Sequence, residues 1–458
     1  MTEIQMDNPW VIRYERLLSL EEIRRRARKL GQPVEGLNAD PIEVASDRLL
    51  QAFKSVFYPT NRCCEIIRDE IERALAHALA AYPDKSTMLQ RCYEEHPRKD
   101  IDPYVPACFT GLAGTGKTEL ERALARVLSE IGTVNLGPGG GLFPMISYIS
   151  VSVRGAKSVA RALRPLAAPE IANGSTRVAE ADLPLECARW LFKTGVCSFG
   201  VDELQFMTQS ANATTLVTKT LLGYGEVRVP WHFVSNYSWC WRLMRRPQEA
   251  TQRLLGCPVV LMPDPPQSED WLNVLAGWEI VVGTYFSFKF SDLALALWVF
   301  CAGLKRELVK LLVHSYRICR RRAGLQVEWT DVEMAYASLE FCASRQDIEL
   351  LIAHAAQGGD LKEDLRCPFV GGAIAVSQEQ YFNSLQVARA GKVAVAARDA
   401  SMNVDERQAA KAIQSRTEPT KAKPLATVTK MPPKKRTLES LQEAGRFFKN
   451  KRAPDDQP

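Results

Sequence analysis

The segment Gly111-Leu112-Ala113-Gly114-Thr115-Gly116-Lys117-Thr118 has the spacing G-x-x-x-x-G-K-T. Its glycines let the backbone curl until successive N–H groups point inward and cradle phosphate oxygens. An apolar run precedes the loop and a helical pattern starts at Lys117, so a helix N-terminus adds its partial positive charge. In such a loop Lys117 reaches the β- and γ-phosphates and the Thr118 hydroxyl ligates Mg²⁺. All eight residues are expected to bind ATP.

Further along, the apolar run Val196–Val201 ends in Asp202-Glu203. Asp202 is then placed to hold Mg²⁺ through water, and Glu203 to polarise the attacking water as general base. Adjacent carboxylates after a strand are common in solvated loops, and it is the phosphate loop that gives this pair its meaning. A third apolar run, from His232, ends in Asn236, an amide suited to orienting that water. Arg242, Arg245, Arg246 and Arg253 follow. A guanidinium stabilises charge developing in phosphoryl transfer, and in a ring of subunits it can reach the neighbour's γ-phosphate. Arg253, just before the run at Val259, best fits that role, with Arg246 second, and solvated basic helix faces account for some of the four. Gly303-Leu-Lys-Arg306 has the spacing G-x-x-R. Arg154 and Lys157 follow the second strand, where cations facing a channel would meet DNA phosphates in a sequence-independent, salt-sensitive contact. The competing reading of these two is a solvated helix start.

The elements that must carry these residues alternate. Short apolar runs at Val105–Thr110, Ile146–Val153, Val196–Val201, His232–Ser235 and Val259–Met262 read as strands. Helical patterns fall between them at Lys117–Glu130, Ser158–Leu166, Leu183–Lys193 and Gln209–Leu222. This is parallel α/β patterning, with five strands. Upstream, Ser19–Glu22 reads as a capping box for a helix ending near Gly31, and Cys63–Tyr82 as a helix stopped by Pro83. Beyond Pro263–Pro266 the strands cease: Asp292–Arg322, a helix opening at Thr330 with Glu333, and Asp347–Gln357 form a helical block. The chain divides into a helical N-terminal partner-binding region (1–98), an ATPase core (99–265), a helical lid (266–370) and a tail (371–458). The tail is expected to be mostly disordered and basic, since Lys421–Arg452 holds ten basic residues against two acidic. Within it, Thr437–Lys449 spaces Leu438, Leu441, Phe447 and Phe448 as a segment that folds on a partner.

Composition narrows the class. The 458 residues are 46% apolar, with a net charge of +6. Twelve scattered cysteines without C-x-x-C spacing, and five histidines, offer neither a zinc site nor a disulfide framework. They read as reduced, mostly buried residues of a cytosolic protein. The polar, acidic start excludes a secretory signal. The run Leu293–Leu304 would span about 18 Å as a helix, too short for a bilayer, so a soluble protein is expected.

With these motifs in place, the chain resembles AAA+ ATPases, and among them the TnsC/TniB type that regulates target choice in transposition. The resemblance covers roughly residues 55–345. It is carried by Gly111–Thr118, Val201–Gln205, Phe233–Ser238 and Arg253–Leu255, and in the lid by Leu297-Trp298, Cys301–Gly303, Leu311–Arg317 and Asp331–Tyr336, with Phe57–Thr60 ahead of the core. It implies an α/β AAA+ core with a five-stranded parallel sheet and a helical lid, in which Asn236 and Arg306 act as nucleotide sensors. It also implies an ATPase that uses ATP and Mg²⁺ and forms rings or filaments on double-stranded DNA when ATP is bound. Such a protein links a target-selector protein to a transposase and disassembles on hydrolysis. Thr437–Lys449 would contact the transposase, and the N-terminal helices another partner. The protein would then be a bacterial, DNA-associated one of the cytoplasm. Two other classes fit parts of the pattern. One is a replication initiator of the Orc/Cdc6 kind, which a C-terminal winged helix would favour. The other is a non-hydrolysing signalling switch, which has no need of Glu203.

Overall fold

The computed structural model describes residues 8–137, 141–202, 204 and 213–401. Five helices come first: α1 (Pro9–Glu15), α2 (Leu20–Ala27), α3 (Ile42–Ser55), α4 (Asn61–Ala81) and α5 (Lys85–Arg91). Asn8 caps α1 by accepting from the N–H groups of Trp10 and Val11. Ser19 precedes α2, yet its side chain makes no cap bond, and Glu22 is instead held by Arg25 and Arg26. The expected capping box is therefore not formed.

Seven strands and seven helices follow: β1 (Ala107–Gly111), α6 (Lys117–Val127), β2 (Ile131–Asn135), β3 (Leu142–Ile146), β4 (Ile149–Ser152), α7 (Val159–Leu163), α8 (Pro169–Ala172), α9 (Leu183–Lys193), β5 (Phe199–Asp202), α10 (Ala213–Gly225), β6 (Trp231–Val234), α11 (Tyr237–Met244), α12 (Gln248–Leu255) and β7 (Cys257–Leu261). Five strands make one parallel sheet in the order β4-β5-β6-β1-β7, and β2 and β3 form a separate antiparallel hairpin. The single strand expected over Ile146–Val153 is thus two, each in a different sheet. They part at Ser147-Tyr148, where the Ser147 carbonyl accepts from Tyr14 and the Tyr148 side chain turns into a buried polar cluster.

The sheet is covered on both faces. One face, with Cys108, Phe199, Val201, Trp231 and Phe233, shares a core with the lid and with Leu49 and Phe53 of α3. The other, with Ala107, Phe109 and Val234, packs on α6 and on Trp10, Tyr14, Ile23 and Ile67 of α1, α2 and α4. Hence the first hundred residues do not stand apart as a unit, but contribute to both cores.

The lid comprises α13 (Glu269–Val282), α14 (Ala294–Cys301), α15 (Lys305–Arg321), α16 (Trp329–Ala337) and α17 (Cys342–Gln357). Two expectations change here. The helix expected over Asp292–Arg322 breaks at Ala302 and Gly303, both with positive φ (50° and 72°). The helix expected to open at Thr330 opens at Trp329, with Glu328 as cap in a reciprocal box with Asp331. Past the lid, disorder does not begin at 371, because Gly372–Ser401 form α18, with Tyr381 and Leu385 buried. The Lys, Pro and Thr that suggest disorder lie beyond this stretch, which itself has one Lys, no Pro and no Thr and packs through its few large apolar residues. The segment 437–449 lies outside the described residues. No helix among them is long and apolar enough to cross a membrane. All twelve cysteines are free and most are buried.

Candidate nucleotide site

Strand order decides what meets what. β6 lies between β5 and β1, so Asp202, Asn236 and the phosphate loop all emerge at the carboxyl ends of three neighbouring parallel strands. Ligands of open α/β sheets bind at that edge. A cleft of about 850 Å³ opens there, lined by Ala113–Glu119, Asp202, Asn236 and Arg306.

β1 is buried along its whole length and delivers the loop. Gly114 and Gly116 have φ of 97° and 104°, a region costly for any other residue. Gly116 caps α6, whose N-terminus faces the cleft with Lys117 and Thr118 in its first turn. Lys117 is 7% exposed, and its amine donates to the carbonyls of Gly111 (2.9 Å) and Leu112 (2.8 Å). Burial, with Arg306 close by, lowers its pKa to about 7. Anionic oxygens are the acceptors that would restore its charge.

Asp202 ends β5 and is 9% exposed, and Thr118 lines the same cleft. Among the described residues no group of three or more His, Cys, Asp or Glu is arranged to hold a metal ion by itself. The pair therefore fits a Mg²⁺ bound through one or two protein oxygens plus phosphate, and not an all-protein cage. Asn236 sits just past β6 and makes no cap bond to α11, which leaves its amide for the cleft.

The break at Ala302-Gly303 explains how the lid reaches this edge. Gly303 packs so closely that a Cβ there would meet Trp298 Nε1 (2.6 Å) and Pro263 (2.9 Å). The turn starts α15 beside the loop, where the Arg306 N–H donates to the Gly114 carbonyl (3.3 Å). A Cβ on Gly114 would lie 3.2 Å from the Arg306 Cβ. The G-x-x-R spacing thus has a physical basis: the glycine turns the chain and the arginine lands on the loop. Lys305 anchors the start of α15 through Asp264 (2.7 Å), whose carbonyl also accepts from Trp298 Nε1 (2.8 Å).

Other candidates stand elsewhere. Arg253 is 60% exposed, pairs with Glu249 (2.9 Å) and does not line the cleft. Arg246 bonds Thr215 and Arg245 bonds Glu363. Arg154 and Lys157 are exposed beyond β4, at the sheet's outer edge. Glu203 lies outside the described residues. Sequence reasoning did not assign a role at the cleft to Phe57, Tyr58, Trp278 or Lys305, which also line it. Phe57 is anchored by a two-bond bridge with Lys29 (2.9 Å each). A signal was present in Phe57–Thr60, but nothing in it said which wall it would form.

No family model and no curated protein matches the chain. Among solved structures it is similar to the Orc1 protein of Aeropyrum pernix in complex with DNA (19% identity, 60% of this chain and 73% of that one, TM-score 0.36). It is also similar to Drosophila ORC bound to DNA (12%, 86% and 90%, 0.37) and to the Thermotoga maritima RuvB Holliday junction branch migration motor (12%, 63% and 75%, 0.34). Overlaps this loose add nothing to the strand order and the lid, which by themselves describe a P-loop α/β core of the AAA+ arrangement.

Proposed function

We propose that the protein is an ATP-hydrolysing AAA+ ATPase that assembles on double-stranded DNA and regulates transposition. The observation that carries the hydrolytic part is the meeting of Lys117, Thr118, Asp202, Asn236 and Arg306 around one cleft. Lys117 and the loop N–H groups bind the β- and γ-phosphates, and Arg306 closes on them from the lid. Thr118 and Asp202 would hold Mg²⁺, which when bound neutralises charge on the β- and γ-oxygens. Asn236 orients the water and Glu203 takes its proton. Arg253, free of its own cleft, is the guanidinium offered to a neighbouring subunit.

The resemblance to TnsC/TniB proteins supports the finer reading. Arg154 and Lys157 contact DNA phosphates, Thr437–Lys449 engages a transposase, a target-selector protein loads the assembly, and hydrolysis releases it. An initiator of the Orc/Cdc6 kind is less favoured, because among the described residues the chain after the lid is one helix with no strands.

The test mixes the full chain with non-specific duplex DNA and a non-hydrolysable ATP analogue. Nucleotide-dependent rings or filaments in electron micrographs are expected, and their absence would sink the reading. Glu203→Gln is expected to bind ATP and remain on DNA. If it leaves DNA as fast as the parent, Glu203 is not the base.

A further inference from the structure

Behind the phosphate loop lies a buried ionic cluster that the reactions above do not use. His232, on β6 and fully buried, faces a carboxylate with each ring nitrogen. Nδ1 lies 3.3 Å from Glu70 of α4, and Nε2 bonds Glu121 of α6. A carboxylate accepts only, so each nitrogen must donate and the ring is an imidazolium. Glu121 also accepts from Ser150 (2.7 Å) and from the Tyr148 hydroxyl, and Glu70 pairs with Arg73 (2.8 Å). Two cations thus balance two carboxylates. The ring stacks on Phe109 of β1 with centroids 4.5 Å apart. Its opposite number on β5 is Gly200, where any Cβ would collide with Tyr148, His232 and Glu121. That strand leaves space for the cluster and for nothing else.

The connectivity gives the cluster its meaning. Glu121 stands one helical turn beyond Lys117, on the helix whose N-terminus faces the phosphates. His232 stands four residues before Asn236, on the strand that delivers it. Glu70 lies mid-way along α4, about two helical turns beyond Cys63, the residue of that helix that lines the cleft. We propose that His232 is a positioning residue that fastens the phosphate-loop helix to the strand carrying Asn236, and through Glu70 fastens both to α4. Occupancy of the phosphate site and the state of α4 are then coupled in both directions. Anything that engages α4 acts on the alignment of Asn236 without touching nucleotide.

The inference rests on the nucleotide reading above, and its test separates the two. Full-length His232→Gln is compared with the parent for binding of a fluorescent ATP analogue, steady-state hydrolysis and amide hydrogen exchange, well below its melting midpoint. The expected result is affinity within about threefold, kcat reduced at least about tenfold per nucleotide-binding molecule, and KM little changed. In the parent, nucleotide should slow exchange across residues 61–81, and in the variant that protection should vanish. Should His232→Gln not fold, Glu70→Gln keeps the tie to Glu121 and must lose the protection of 61–81 with nucleotide still bound. Retained protection in the soluble variant, or an unchanged kcat per binding molecule, overturns the proposal. A parent that binds ATP without turning it over removes the hydrolytic reading alone, and exchange in α4 still decides the coupling.

Discussion

Gly114 is a residue whose type follows from two constraints at once. Its φ of 97° disfavours a side chain, and a Cβ would lie 3.2 Å from the Arg306 Cβ, close enough that Arg306 must give way by a few tenths of an ångström. Gly116 meets only the first constraint, with nothing within 4 Å of a Cβ. Gly114→Ala is therefore expected to cost about 1–2 kcal/mol in stability and to displace Arg306 as well. If Arg306 is the lid's contact with nucleotide, Arg306→Ala and Gly114→Ala will each weaken ATP binding, and the double variant will lose less than the sum. Titration calorimetry on the four proteins checks this, and full additivity would mean that the two residues act apart. At this scale the sequence was most readable where the chemistry is local. Lys117 and Thr118 announce themselves by spacing, and Asp202 and Asn236 by ending apolar runs. Phe57, Trp278 and Lys305 do not, because their place at the cleft depends on which distant elements meet there.

At the scale of elements, periodicity located the helices and strands but not their joints. Leu293–Leu304 reads as one apolar stretch running into the next helix, and only tight packing at Gly303 forces the turn. Gly303→Val adds a β-branched side chain at φ 72° against Trp298, so α14 and α15 should shift or straighten. A loss of about 2–4 kcal/mol and a marked fall in ATP affinity are expected, and a denaturant titration with a binding assay measures both.

The sheet's buried cluster supplies a pH signature. Burial opposes the charge on His232, but Glu121 and Glu70 outweigh it and push its pKa up to about 9. The unfolded value is near 6.5, so the stabilisation is complete below that pH and is lost as pH rises through about 9. Glu70 and Glu121 are lowered despite burial, chiefly by Arg73 and His232 respectively, so their contribution is lost as pH falls through the acid range. Arg73 behind Glu70 and Tyr148 beside Glu121 are the other ionisable groups bonded to these two carboxylates. The melting temperature should therefore plateau on the slightly acid side, below about pH 6.5, and fall between about pH 6.5 and 9 by the equivalent of a few kcal/mol, with no further loss from this group above that. In His232→Gln the alkaline fall should shrink, and scanning calorimetry from pH 5 to 10 would expose an unchanged slope. The sequence showed His232 only as the first residue of an apolar run, since its partners come from α4 and α6.

For the molecule as a whole, the first hundred residues show what pattern alone leaves out. Helical patterns ahead of an ATPase core read as a partner-binding region, with nothing to say which surfaces those helices cover. Trp10, Tyr14 and Ile23 are buried against the face of the sheet that carries Phe109, and Leu49 and Phe53 are buried with the lid. Arg13 reaches the Gly195 carbonyl, and the Tyr14 hydroxyl donates to Ser147 (2.7 Å), so the contacts are specific as well as apolar. Each large side chain buried this way contributes about 1.5–3 kcal/mol, and five of them rival the ~5–15 kcal/mol that holds a typical domain together. Removing residues 1–56 is therefore expected to abolish cooperative unfolding and to leave an aggregation-prone chain that binds no ATP. Circular dichroism melting and nucleotide binding on the shortened chain measure this directly. A truncated protein that melts as sharply as the parent and still binds ATP would show that residues 1–56 are detachable from the core. It would also mean that Trp10 and Phe53 cover surfaces the core does not need covered.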